Sequence, residues 1–287
     1  MMSSFIITTD LSPASFAIVN CLGSLKDFGA HHCLLLQCLS RQEMASLALS
    51  YSISSHERML NDQKQILERQ GFEVTTRIVS GNSKEEVNRI ADREDYPLIV
   101  VGHSHSRVRD TFLGTVAYNV IYRARKPAIV VPVRKEEGGY ACISGAAFRE
   151  HILFPTDFSE NADLAFSYVR DFAGQGVMHI TLLHVQDRAR IEPYLRDRLD
   201  EFNKIDQARL ESMRGSLKER GGARIDIELT YGAPYTEIMR LVRERHISLV
   251  VMGSQGRGFI KELFLGSVSH NVARDSEAPV MLIPAKR

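Results

Sequence analysis

Ile152-Leu153-Phe154-Pro155-Thr156-Asp157-Phe158-Ser159 is an apolar run that ends on a Thr-Asp-x-Ser turn, and Phe5-Ile6-Ile7-Thr8-Thr9-Asp10-Leu11-Ser12 repeats it in the first half. Two further pairs follow in the same order. Leu98-Ile99-Val100-Val101-Gly102 matches Leu249-Val250-Val251-Met252-Gly253, and Lys126-Pro127-Ala128-Ile129-Val130-Val131-Pro132 matches Ala278-Pro279-Val280-Met281-Leu282-Ile283-Pro284. Three matched segments at a nearly constant offset mark a duplication, and internal similarity of this kind settles the architecture before any single element does. A chain of 287 residues suits two such copies, each large enough to bury its own core.

Each half alternates short apolar runs with stretches of helical period, which reads as strands alternating with helices. In the second half the strands fall near 151–156, 179–185, 224–231, 247–253 and 279–284. The near-continuous run Ile247 to Met252 suits a parallel strand covered on both faces. Between the second and third strands, Leu195, Leu199, Phe202 and Ile205 form an apolar stripe that Leu210, Met213 and Leu217 continue, opposite a charged face. The expectation is an α/β protein of two tandem doubly wound domains, each with a five-stranded parallel sheet and right-handed crossovers. Arg134 to Tyr140 breaks both periods, so residues 1–134 form the first domain, 135–149 a linker and 150–287 the second domain.

Composition narrows the function. Hydrophobic residues at 44% and charged residues at 25% describe a globular chain, and a net charge of +1 gives no reason to expect a nucleic acid partner. No apolar run approaches the length of a membrane helix, and the N-terminus does not read as a signal segment, so a soluble cytoplasmic protein is expected. Cys21, Cys33, Cys38 and Cys142 lack CxxC spacing and read as reduced, buried thiols. His103-x-His105, His31-His32 and the other histidines read as solvated rather than metal-binding, because no carboxylate or cysteine cluster completes a site.

Doubly wound sheets bind ligands beyond the carboxyl ends of their strands. That rule singles out Asp157, the end of the second strand at His184-Val185, and the loop from Gly253 to Ser269. Glycines there let backbone N–H groups approach an anion, and Gly266-Ser267 places the orphan N–H groups of a helix start beside it. Gly253-x2-Gly256-x9-Gly266-Ser267 resembles the G-2x-G-9x-G-[ST] loop of the ATP-binding branch of the universal stress protein family. The resemblance extends over both halves and implies a Rossmann-like fold of the adenine nucleotide alpha hydrolase type. It also implies that Pro155, Thr156, Asp157 and Val185 hold adenosine, while Gly253, Ser254, Gly256, Gly266, Ser267, Val268 and Ser269 hold phosphates, with Arg257 a neighbour by position. Capping chemistry is the other reading of Asp157 and Ser267, each standing at a helix start.

The first half keeps Asp10, Gly102, Gly114 and Thr115 but places His105 where the second glycine belongs, with one residue fewer before Gly114. A left-handed backbone at that position would make a Cβ cost roughly 1–2 kcal/mol, and the imidazole would enter the phosphate space. The first domain is therefore expected to bind nucleotide weakly or not at all. No P-loop or nucleotidyl-transfer motif is present, and no base stands beside a nucleophile in the binding loop. No catalytic residue is assigned. The family implies an adenine-nucleotide-responsive stress or regulatory protein taking ATP, ADP or AMP, with a need for Mg²⁺ left open. A slow ATP hydrolase or phosphotransferase and a non-binding interaction protein are the alternatives. Pairing of the halves through Ala128–Val131 and Val280–Ile283, and a homodimer beyond it, are further implications of the family.

Overall fold

The computed structural model describes residues 2–49, 53–105, 115–143, 147–187, 199–256 and 265–286. The chain divides into two compact units, Met1–Ala146 and Ala147–Arg287.

The first unit runs β1 (Ser4–Thr8), α1 (Pro13–Asn20), a 3-10 turn (Gly23–Phe28), β2 (His32–Leu39), α2 (Arg41–Leu49), α3 (Ile53–Arg69), β3 (Glu73–Ser80), α4 (Ser83–Arg93), β4 (Ile99–His105), α5 (Thr115–Tyr122), β5 (Ala128–Glu136) and β6 (Gly139–Cys142). Its strands lie in the order β3-β2-β1-β4-β5, all parallel, with β6 antiparallel against β5. The second unit runs β7 (His151–Thr156), α6 (Glu160–Gly174), β8 (His179–Asp187), α7 (Leu199–Lys218), β9 (Arg224–Gly232), α8 (Pro234–Glu244), β10 (Leu249–Gly253), α9 (Ser267–Asp275) and β11 (Val280–Ile283). Its five strands are parallel in the order β9-β8-β7-β10-β11.

The inner strands are apolar because both faces of the sheet are covered. Leu153, Phe154, Leu249, Val250 and Val251 are fully buried, and burying a side chain such as Phe154 contributes roughly 2–3 kcal/mol. In the second unit the chain winds from β7 out to β8 and β9, then crosses back to β10 and β11. The reversal falls between β7 and β10, the place where doubly wound sheets take ligands beyond their strand ends.

Four expectations need correction. Residues 135–142 are not a plain linker. β5 continues to Glu136 and turns through Glu137-Gly138 into β6, with Gly138 in the left-handed region at φ 100°. The first unit thus has a sixth, antiparallel strand. Cys21 and Cys142 are not both thiols, for they form a disulfide that ties the end of α1 to β6. Their Cα atoms lie 6.2 Å apart, within the span such a bond requires. Cys33 and Cys38 are free; burial, aided by the charge of Glu86, pushes the Cys38 thiol up to about 11. Not all the histidines are solvated, because His103 sits buried in β4, and His151 and His184 are buried as well. Finally, the stripe on α7 departs from expectation at Ile205, which is exposed while its neighbour Asp206 is buried; Leu210 and Leu217 face inward as expected. Leu195 lies outside the described residues.

Candidate functional site

The turn after β7 is built from three local hydrogen bonds. Thr156 Oγ1 accepts the Phe158 N–H at 3.0 Å, Asp157 Oδ1 accepts the Ser159 N–H at 3.1 Å, and Ser159 Oγ caps α6 by accepting the Ala162 N–H at 3.2 Å. Such side-chain turns replace a backbone turn and begin the helix. Phe158 adopts a left-handed conformation at φ 56°. The capping reading of this motif therefore holds for Ser159, while Asp157 closes the turn with one oxygen. Its other oxygen, Oδ2, borders Gly256: a Cβ on Gly256 would stand 2.6 Å from it. Gly256 is not left-handed. The glycine is required by the approach of a carboxylate, not by backbone strain.

Gly253 has a different task. A Cβ there would meet Asn161 Oδ1 at 2.8 Å. Asn161 is buried on α6, accepts the Gln255 N–H at 2.9 Å and donates to the Ile283 carbonyl at 3.0 Å, so it fastens the start of the loop to the end of β11. The two ends of the loop are pinned through Ser254, whose carbonyl accepts the Gly266 N–H at 2.7 Å and the Ser269 hydroxyl at 2.6 Å. Ser269 is thus committed to holding the loop. Gly266 is the N-cap of α9 and has no side-chain cap, so Ser267 is not a cap but the exposed first residue of the helix, with Val268 half-buried behind it. An uncapped nine-residue helix with no acidic residue in its first turn presents N–H groups and a positive dipole end to an anion. Arg257 lies outside the described residues.

On the other side of β7, pairing with β8 ends at Thr156 opposite His184, while β8 continues beside β9 to Asp187. Val185 is the first β8 residue past that end, so β7 leaves this edge of the strand unpaired, and Pro155 pairs with Leu183 one step inside. Asp157, Val185, Gly256 and the start of α9 are all placed at the carboxyl ends of β7, β8 and β10. The first unit matches this topology but not its site.

That double arrangement accounts for the family comparison. The sequence model of the universal stress protein family matches residues 2–132 and again residues 149–284. The chain belongs to the universal stress protein family. As a tandem universal stress protein it is similar over 98% of its length to a universal stress protein structure from Archaeoglobus fulgidus, at 20% identity with a TM-score of 0.74 and 98% of that chain covered. Single-copy relatives align with about half of it. Universal stress protein MJ0577 of Methanocaldococcus jannaschii is 31% identical over 47% of this chain and 94% of its own length. Universal stress protein YxiE of Bacillus subtilis is 28% identical over 46% of this chain and 97% of its own.

Within this universal stress protein the two copies of the turn have diverged. Thr9, Asp10 and Ser12 repeat the three local bonds, and Leu11 is left-handed at φ 59°. Ser15, however, stands where the second unit has Ala162, and its hydroxyl donates to Asp10 Oδ1. Burial alone would raise the Asp10 carboxyl, but the Ser12 and Ser15 bonds outweigh it and hold the group below its ordinary value. Gly102 keeps its packing role, since a Cβ would collide with Ile18. Directly beyond it the backbone stays in the sheet. His103, Ser104 and His105 extend β4 and pair with Pro132, Val133 and Arg134 of the lengthened β5. Gly114 lies outside the described residues, and Thr115 begins α5.

The sequence reading passed over Asn161, which looks like any polar residue in a helix first turn, and Asp206, which it assigned to the charged face of α7. Neither carries a local signal of its duty, because Gln255 and Ile283 for Asn161, and His184 and Gln186 for Asp206, are distant in the chain.

Proposed function

We propose that the second unit binds an adenine nucleotide, ATP, ADP or AMP, in the crevice between β7 and β10, and that the first unit does not. The observation that carries this reading is the convergence of the Asp157 carboxylate, Gly256 and the uncapped N-terminus of α9 at the point where strand order reverses. The carboxylate and the β8 edge at Val185 suit the nucleoside. Phosphates suit the α9 start, where charge-assisted bonds from N–H groups contribute on the order of 1.5–3 kcal/mol each before association entropy is subtracted. Bound nucleotide acts as a signal that alters the conformation or partners of the protein, and hydrolysis is slow and incidental. Mg²⁺, when present, travels with the phosphates.

Calorimetric titration of ligand-stripped protein with ATP, with and without Mg²⁺, tests the reading through its stoichiometry. One site per chain supports it. Two sites overturn the assignment of the first unit, and none moves the protein to an interaction role without nucleotide.

A further inference from the structure

His184 is buried at the inner end of the proposed nucleoside site, yet it has no role in the nucleotide reading so far. Its Nδ1 lies 2.7 Å from the carbonyl oxygen of Thr156. A carbonyl can only accept, so Nδ1 carries the hydrogen and donates it. On the far side of the ring, Nε2 is 3.4 Å from Asp206 Oδ2 of α7, a pair that attracts when the ring carries a hydrogen on both nitrogens. The same carboxylate oxygen accepts the Gln186 side-chain N–H at 3.1 Å, and Arg209 approaches the other oxygen at 3.9 Å. The Phe158 ring packs 4.5 Å from the imidazole, with the Arg209 guanidinium 5.1 Å from its centroid. The carbonyl that His184 holds belongs to the peptide joining Thr156 to Asp157. Its orientation therefore sets where the Asp157 carboxylate points.

We infer that His184, oriented by Asp206, is a positioning residue for the nucleoside end of the site: it locks the Thr156–Asp157 peptide so that the carboxylate faces bound adenosine. This rests on the nucleotide reading above. The first unit supplies an internal contrast. Gln37 holds the position of His184, two residues before the end of the matching apolar run of β2, and bonds to His56 of α3 at 2.6 Å. There the Asp10 carboxylate is held by Ser15 instead.

The test compares ATP and adenosine binding to the full chain by calorimetry, for the unaltered protein, His184→Phe and His184→Asn. His184→Phe keeps a ring but loses the donor, and an affinity loss of about tenfold is expected, by the same factor for ATP and adenosine. His184→Asn retains a short N–H donor and restores affinity to within about threefold. Unchanged affinity in His184→Phe overturns the inference while leaving the nucleotide site in place. So does equal loss in both variants, or a loss for ATP that adenosine does not share. Absence of ATP binding by the unaltered chain overturns the nucleotide reading and this inference with it. If His184→Phe does not fold, Asp206→Ala reads the same coupling: about threefold weaker binding is expected, and none overturns the role of Asp206.

Discussion

At the scale of single residues, the second unit differs from the first by what surrounds one aspartate. Asp10 receives a hydroxyl from Ser15, whereas the residue in that place in the second unit is Ala162. Ala162→Ser would set a competing donor beside Asp157, and about tenfold weaker ATP binding by calorimetry is expected, with folding intact because Ser15 already occupies the matching helix position in α1. Gly256→Ala acts from the other side. Its methyl would stand 2.6 Å from Asp157 Oδ2, and Asp157 cannot swing away without breaking its bond to Ser159. ATP affinity falls at least tenfold while the melting temperature stays within a few degrees, since the crowded atom is a side-chain end and not backbone. The need for glycine at this position was legible in the motif, but its cause was not: the sequence pointed to N–H access for an anion or to a left-handed backbone, and the contact in the structure comes from Asp157, about a hundred positions away. The duty of Gly253 toward Asn161 was hidden in the same way.

Elements repeat this division between local and distant causes. Strands and the Thr-Asp-x-Ser turns carry local period and turn chemistry, so the sequence placed the strands of the second unit within about two residues. The β5–β6 hairpin escaped because its strands are short, and its Glu-Gly turn sits among charges that mimic a linker. With the hairpin unseen, Cys142 had no visible partner. The disulfide closes 121 residues of chain, and removing such a bond costs about 2–4 kcal/mol. The melting temperature should therefore drop in a thiol reductant, and Cys142→Ser should start lower and lose its sensitivity to reductant. At the amino ends of β7, β8 and β9 another set of groups was equally invisible. The His151 ring stacks on His179 with centroids 3.7 Å apart, and its two nitrogens meet the Arg245 carbonyl and the Thr181 hydroxyl. His179 and Arg224 bind Asp226, and Arg245 reaches Asp226 and Glu228. Burial first, then His179, lowers the His151 pKa from 6.5 to about 4, against a weaker upward pull from its bond to the Arg245 carbonyl. The unfolded chain protonates at the higher value, so stability is full above it and is lost as pH falls from 6.5 toward about 4. Chemical denaturation across that interval should show a slope that His151→Gln flattens.

For the whole molecule, duplication was the most legible feature, because the three matched segments recur in one order and each is the apolar strand that a parallel sheet must bury. The sheets that result share the strand order 3-2-1-4-5, so both units have the reversal at which such sheets take ligands. What separates them is the use of the chain after the fourth strand. In the second unit pairing stops at Gly253 and Gly266 bonds back to Ser254, whereas in the first the fourth strand continues pairing to His105 against a longer fifth strand. A glycine restored at His105 would thus not restore a binding loop, since the backbone there is committed to Arg134 and the Asp10 carboxylate to Ser15. His105→Gly should leave the stoichiometry at one ATP per chain. Hydrogen exchange places the same asymmetry on a map: a ligand at about a hundred times its Kd stabilises the state that binds it by about 2.7 kcal/mol. Added ATP should slow exchange at 156–160, 184–187 and 265–270, and leave 9–15 and 99–105 unchanged. Equal slowing in both sets would mean that strand extension and Ser15 do not close the first crevice, and that the two copies still bind alike.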